Sequence, residues 1–179
     1  QLILQTTREK IALIFGFLEK TMLKNEILNF CYLGTYIEKF DNTARILNTR
    51  QYLFLDEKKY RLEGYDNFQL EMILRSMSSY RSFMWKYQNE INPKKVSYFL
   101  ISDEDMPKSL IFCINETLKN LKPINKKKIK NSKSYINALG IQKKIKLKNI
   151  SLNNYSFLNG LIKLNMDLAS NIEIEFNFH

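Results

Sequence analysis

Gly34, Glu38, Asp41, Arg45 and Asn48 recur at intervals of 4, 3, 4 and 3, and Asn42 stands four residues after Glu38. On an α-helix that spacing gathers them into one stripe. Within it Asp41 can pair with Arg45 in the favourable acid-first order, and Glu38 can reach Asn42. Such a carboxylate and guanidinium set can face a cleft and hold a charged ligand or a peptide end. A carboxylate in a pocket can also work as general acid or base beside an anion-holding arginine. Spacing alone favours reading the same residues as an interhelical polar network that fixes register, because half-buried ion pairs are common and catalytic ones rare. Gly34 costs a helix interior about 1 kcal/mol relative to Ala, which predicts close approach of another backbone or side chain at that point.

Much other chemistry is excluded by composition. The only histidine is His179 and the only cysteines are Cys31 and Cys113, so neither a His-based triad, an HExxH zinc site nor a four-cysteine site can be built within one chain. No metal site is expected. There is no P-loop and no Gly-rich phosphate cradle, so no cofactor is expected and any nucleotide would belong to a partner. Cys31 and Cys113 sit among apolar neighbours and read as buried free thiols.

The elements that must position the stripe follow from hydrophobic spacing. Of 179 residues 45% are hydrophobic, whereas only 5 are Gly and 3 Pro, too few punctuators for a sandwich or barrel. An all-α bundle of seven or eight helices in one domain is expected. Leu4, Ile11, Ile14, Phe15, Leu18 and Met22 predict a helix over 2–23. Phe30, Leu33, Ile37, Phe40, Ala44 and Leu47 recur at 3, 4, 3, 4, 3 and predict a long central helix over about 25–55. Each stripe residue falls one position after a member of this seam, so the stripe should lie at the edge of the core. Shorter helices are expected over 68–77 and 80–87. Asn92 and Pro93 form an N-cap with a first-turn proline, and Asp103 with Pro107 repeat the device before a helix over 109–121 that stops ahead of Pro123. Ser134 can cap a helix to about residue 147, and 152–176 forms the last.

The chain carries 28 Lys plus Arg against 18 acids, a net charge of +10. Residues 119–148 hold 11 of the lysines and no acid, so this stretch carries the whole excess. Its centre reads as an exposed lysine-rich loop over about 122–133. An RNA-binding surface would mix Arg with stacking aromatics, and here only Tyr135 intervenes, so a nucleic-acid partner is disfavoured. No membrane span or signal peptide is visible, which predicts a cytoplasmic protein. The sequence opens on Gln1, already in helical pattern by Leu4, which predicts a portion of a longer chain. The apolar face along Leu4, Ile11, Ile14 and Leu18 is then expected to associate, in a homodimer or with a missing half.

The run Leu33-Gly34-Thr35-Tyr36-Ile37-Glu38-Lys39-Phe40-Asp41-Asn42-Thr43-Ala44-Arg45-Ile46-Leu47-Asn48 resembles the motif L-G-R-Y-L-E-R-A-[ED]-x-[TL]-[AS]-R-[IL]-L-D of the alpha-E domain family of bacteria. Glu19 to Glu26 resembles the family's [DE]-R-T-M-L-R-D-E segment, and Ile91 to Leu100 its I-[DE]-P-x-x-V-x-x-F-L. Asp103, Pro107, Ser109 and Phe112-Cys113 follow L-D-x-x-x-P-R-S-[VI]-x-F-C. Departures fall at Thr35, Lys39 and Asn48, where the family prefers Arg, Arg and Asp. The resemblance is to the C-terminal half of a protein of usually about 300 residues. It implies an all-helical protein whose relatives are encoded beside, or fused to, an ATP-grasp ligase and a transglutaminase-like peptidase. A substrate-holding or accessory role in peptide or amide ligation is therefore expected, with Glu38, Asp41, Asn42 and Arg45 as polar site and Gly34, Asn92, Pro93, Asp103 and Pro107 as structural motif residues. The alternatives are an enzyme using Glu38 and Arg45, and a basic nucleic-acid-binding bundle.

Overall fold

The computed structural model describes residues 2–54, 65–88, 90–124, 131–147 and 155–177. Among these are eight helices: α1 (Leu2–Thr21), α2 (Glu26–Phe54), α3 (Tyr65–Ser76), α4 (Tyr80–Tyr87), α5 (Pro93–Ile101), α6 (Leu110–Ile124), α7 (Lys133–Leu147) and α8 (Tyr155–Glu175). The expected centre of the lysine loop lies outside the described residues. Lys122 and Lys133 flank it and are exposed.

Packing closes a four-helix ring. α2 lies against α6 and α8, and α7 lies against the same two, so α2 and α7 are diagonal partners. The expected seam of α2 supplies its buried face through Leu33, Phe40, Ala44 and Leu47. α8 answers with Leu158, Leu161, Leu168 and Ile172 at the same spacing, and with Asn165 at the seam position between Leu161 and Leu168. Each fully buried leucine contributes about 1.5–3 kcal/mol, so register is strongly fixed. Buried Asn165 meets its amide requirement by donating Nδ2 to the Ile37 carbonyl of α2 at 3.1 Å, which ties α8 to α2 at one height. Helices α3, α4 and α5 pack on one another, and α5 continues onto α6. Phe83, Tyr87 and Phe99 stack there with centroids 4.7–6.0 Å apart.

The helix ends show which polar residues define them. Asn92 caps α5, its side chain accepting from Lys95 N at 2.9 Å, with Pro93 in the first turn as expected. The parallel expectation for Asp103 and Pro107 is corrected. α6 begins at Leu110, and its cap is Ser109, whose Oγ accepts from Phe112 N at 3.0 Å. Asp103 is already committed: it is buried, lies 2.7 Å from the Lys86 ammonium and accepts from Asp105 N at 3.0 Å. That carboxylate raises the Lys86 pKa. Pro107 sits in the turn before the cap. α6 also runs past Pro123 to Ile124, since a proline in the last turn forfeits one hydrogen bond and keeps a helical φ. α7 is capped by Ser132, which accepts from Tyr135 N at 3.1 Å, and not by Ser134. Ser134 instead donates N–H and Oγ–H to Glu175 from the end of α8, placing a carboxylate at the α7 N-terminus.

α1 stands apart. None of its residues is buried, and Leu4, Ile11 and Ile14 are 67%, 48% and 57% exposed. No helix among the described residues is long and apolar enough to cross a membrane.

Candidate functional site

The stripe forms as two ladders along α2. Glu38 Oε1 accepts from Asn42 Nδ2 at 3.1 Å, and Arg45 Nε donates to Asp41 Oδ2 at 2.5 Å. Glu38 and Arg45 are thus each tied to a neighbour one turn away. The hydrogen bond and charge of Asp41 raise the Arg45 pKa further, with a smaller contribution from Glu38. The seam positions turn inward between α6 and α8, so the next residue falls at the rim. Glu38, Asn42 and Arg45 are exposed, while the Asp41 side chain retains only 19% of its accessible surface. Asp41 therefore has two unlike oxygens. Oδ2 faces Arg45, and Oδ1 is buried without a hydrogen-bond partner among the described residues.

The α8 side of the stripe is defined by two contacts. Asn48 Nδ2 donates to Asn159 Oδ1 at 2.8 Å, and Arg45 Nη2 lies 3.9 Å from Met166 Sδ. Contacts that join α2 to α8 are thus made at Asn48 and by Asn165, while the side-chain bonds of Glu38, Asp41 and Asn42 among the described residues stay within α2. The expectation for Gly34 is corrected: it is exposed, and a Cβ built there meets nothing within 4 Å. Cys31 is likewise half-buried rather than buried, whereas buried Cys113 has its thiol pushed up to about 12 by desolvation.

A second polar cluster was not singled out by spacing. A cleft of about 390 Å³ opens where the end of α1 meets α2 and α6, lined by Glu19, Lys24, Tyr32, Tyr36, Glu116 and Lys119 among others. The Tyr32 hydroxyl donates to Glu19, which pushes the phenol up to about 12 and holds the carboxyl below its usual range. Lys24 bridges to Glu19 at 3.2 Å and Lys119 to Glu116 at 3.1 Å. Tyr36 is raised chiefly by burial. Glu19 and Lys24 lie in a motif already noted, but Tyr32, Tyr36 and Glu116, which line the cleft with them, come from α2 and α6, and no periodicity could join the three segments. Among the described residues no group of three or more His, Cys, Asp or Glu could hold a metal ion.

Comparison with known families places residues 2–176 on the Alpha-E family model, described as a predicted alpha-helical domain with a conserved ER motif. No characterised protein and no solved structure matches the chain. The sequence contains no Glu-Arg dipeptide. On the motif resemblance above, Glu38-Lys39 stands at the Glu-Arg pair, with lysine keeping the charge and giving up the planar fork.

Proposed function

The chain belongs to the Alpha-E family, and from that premise we propose that it is a binding module which holds a substrate or docks a partner in peptide or amide ligation. Its contact surface is the α2 stripe of Glu38, Asp41, Asn42 and Arg45. The observation that carries this reading is the exposure of a preset hydrogen-bonding ladder: Glu38, Asn42 and Arg45 face solvent while their side chains are already oriented by bonds within the helix. Orienting those groups in advance lowers the ordering cost of binding. The guanidinium retains donors beyond its bond to Asp41, and these suit a carboxylate or a peptide carbonyl. Glu38 lies on an open helix surface, which supports binding over acid catalysis, because a general acid needs a site that excludes water to raise its pKa.

The partner suggested by the family resemblance is an ATP-grasp ligase or a transglutaminase-like peptidase. Binding of this chain to each can be measured by calorimetry with the native protein and with Arg45→Ala. The reading expects affinity to fall at least about tenfold for one partner, the range of a lost charge-assisted contact. Equal affinity of both proteins for that partner would contradict it.

A further inference from the structure

The cleft between the end of α1, α2 and α6 shares no residue with the Glu38–Arg45 stripe, and its polar groups are sorted by exposure. Lys24 and Lys119 stand at the rim, with side chains 59% and 73% exposed. Glu116 retains 21% of its side-chain surface, Tyr36 is half-buried and Asn120 is buried. The floor is therefore rich in acceptors and the rim in ammonium groups.

Two of the deeper groups have hydrogen-bonding capacity left over. Asn120 is only 6% exposed, and its Nδ2 donates to the Glu116 carbonyl one turn back at 2.7 Å, while its Oδ1 has no hydrogen-bond partner among the described residues. An unpaired amide oxygen at this depth is costly unless a donor reaches it, and the cleft that Asn120 lines is where one can enter. The Tyr36 hydroxyl likewise has no hydrogen-bond partner among the described residues; burial and then the nearby charge of Glu116 raise its pKa. Glu19 is in the opposite position, since Tyr32 and Lys24 already occupy its two oxygens. That leaves Glu116 as the carboxylate open to a ligand. Its pair with Lys119 spans three residues of one helix, and a pair so exposed on the lysine side holds weakly, so Lys119 can turn to another anion at small cost. Lys24 keeps one N–H beyond its bonds to the Glu19 side chain and carbonyl.

An ammonium has three N–H groups, and the floor offers it three acceptors: the Glu116 carboxylate, Asn120 Oδ1 one turn along the same helix, and the Tyr36 hydroxyl. A carboxylate on the same molecule then meets the lysines at the rim, whereas a ligand of single charge would leave one end of the cleft unanswered. The cleft volume of about 390 Å³ lies in the range of small-molecule sites. We propose that this cleft binds an amino-acid zwitterion, its ammonium on Glu116 and Asn120 and its carboxylate toward Lys24 and Lys119. The site does not depend on the α2 stripe.

The test is a titration of the intact chain with alanine and with 4-aminobutyrate, and with butylammonium and butyrate as singly charged controls at matched ionic strength. Calorimetry gives affinity, and NMR of labelled tyrosine rings and asparagine amides gives location. At least one zwitterion should saturate with a dissociation constant of about 1 mM or below, and both controls should bind at least about tenfold more weakly. Shifts are expected at Tyr36 and Asn120 and not at exposed Tyr98. Saturation by alanine identifies an α-amino acid, and saturation by 4-aminobutyrate alone identifies a longer spacing between the charges. Glu116→Gln should weaken the zwitterion at least about tenfold. Lys119→Met should weaken it too, yet strengthen butylammonium, because Glu116 loses its competing cation; a merely structural lysine would not produce that reversal. Absence of saturation by either zwitterion, or a control that binds as tightly, would overturn the proposal. So would unchanged affinity in Glu116→Gln. Asn120→Leu is titrated beside its thermal melt, and full affinity in the folded variant would also overturn the proposal; if it does not fold, Glu116→Gln and Lys119→Met decide.

Discussion

The two oxygens of Asp41 sit in unlike settings. One is spent on Arg45, and the other is buried with no hydrogen-bond partner among the described residues. Burying an acceptor without a donor is costly, and Asp41 shares this cost with Asn48, whose Oδ1 is likewise buried without a hydrogen-bond partner among the described residues. Tyr32 and Glu19 form the opposite case, a satisfied pair whose titration is shifted on both sides. Because the folded-state phenol is raised, its contribution to stability is fully present below the ordinary tyrosine value and is lost as pH rises through about 12. For Glu19 the sign is reversed: its contribution is present above the ordinary carboxylate value and lost as pH falls through the lowered one. Tyrosinate absorbance should therefore show one phenol ionising near 12, and Glu19→Gln should move it back toward the ordinary tyrosine range. An unshifted titration curve in that variant would separate the pair.

At the scale of the helix, what spacing predicts is what local physics controls. The seam of α2, the Asn92-Pro93 cap and the eight helices follow from apolar periodicity and from side chains that bond their own backbone. Asn92→Ala should lower stability by about 1 kcal/mol, a fall of roughly 3 °C in melting temperature for a chain of this size. An unchanged melt would show that the cap is dispensable. Gly34, Asp103 and the Glu19–Tyr32 cluster were not legible, because each depends on what another element brings near. Gly34 has open space where a neighbour was expected, and Asp103 is claimed by Lys86 from α4 before it can cap α6. The stripe itself was legible as a stripe. Its division into an exposed ladder and a half-buried carboxylate was not, since both follow from how closely α8 approaches.

The whole molecule divides into a closed four-helix ring with α3 to α5 packed beside it, and one helix that buries nothing. α1 presents Leu4, Ile11 and Ile14 to solvent over most of its length. We propose that it associates with a second copy or with a complementary segment of the family. Ile14→Glu should then shift a dimer to monomer in sedimentation, and any fall in melting temperature should match the lost association and vanish at low protein concentration. A parent protein that sediments as a monomer at all concentrations would remove the case for self-association. The central claim concerns the face of α2, and it is tested most directly by Glu38→Gln. The substitution keeps shape and removes one charge from an exposed helix position, and it is measured by a thermal melt beside activity in a reconstituted ligase system. The account predicts a melting temperature within about 2 °C of the parent and loss of activity. A large fall in melting temperature, with activity following only the folded fraction, would contradict it.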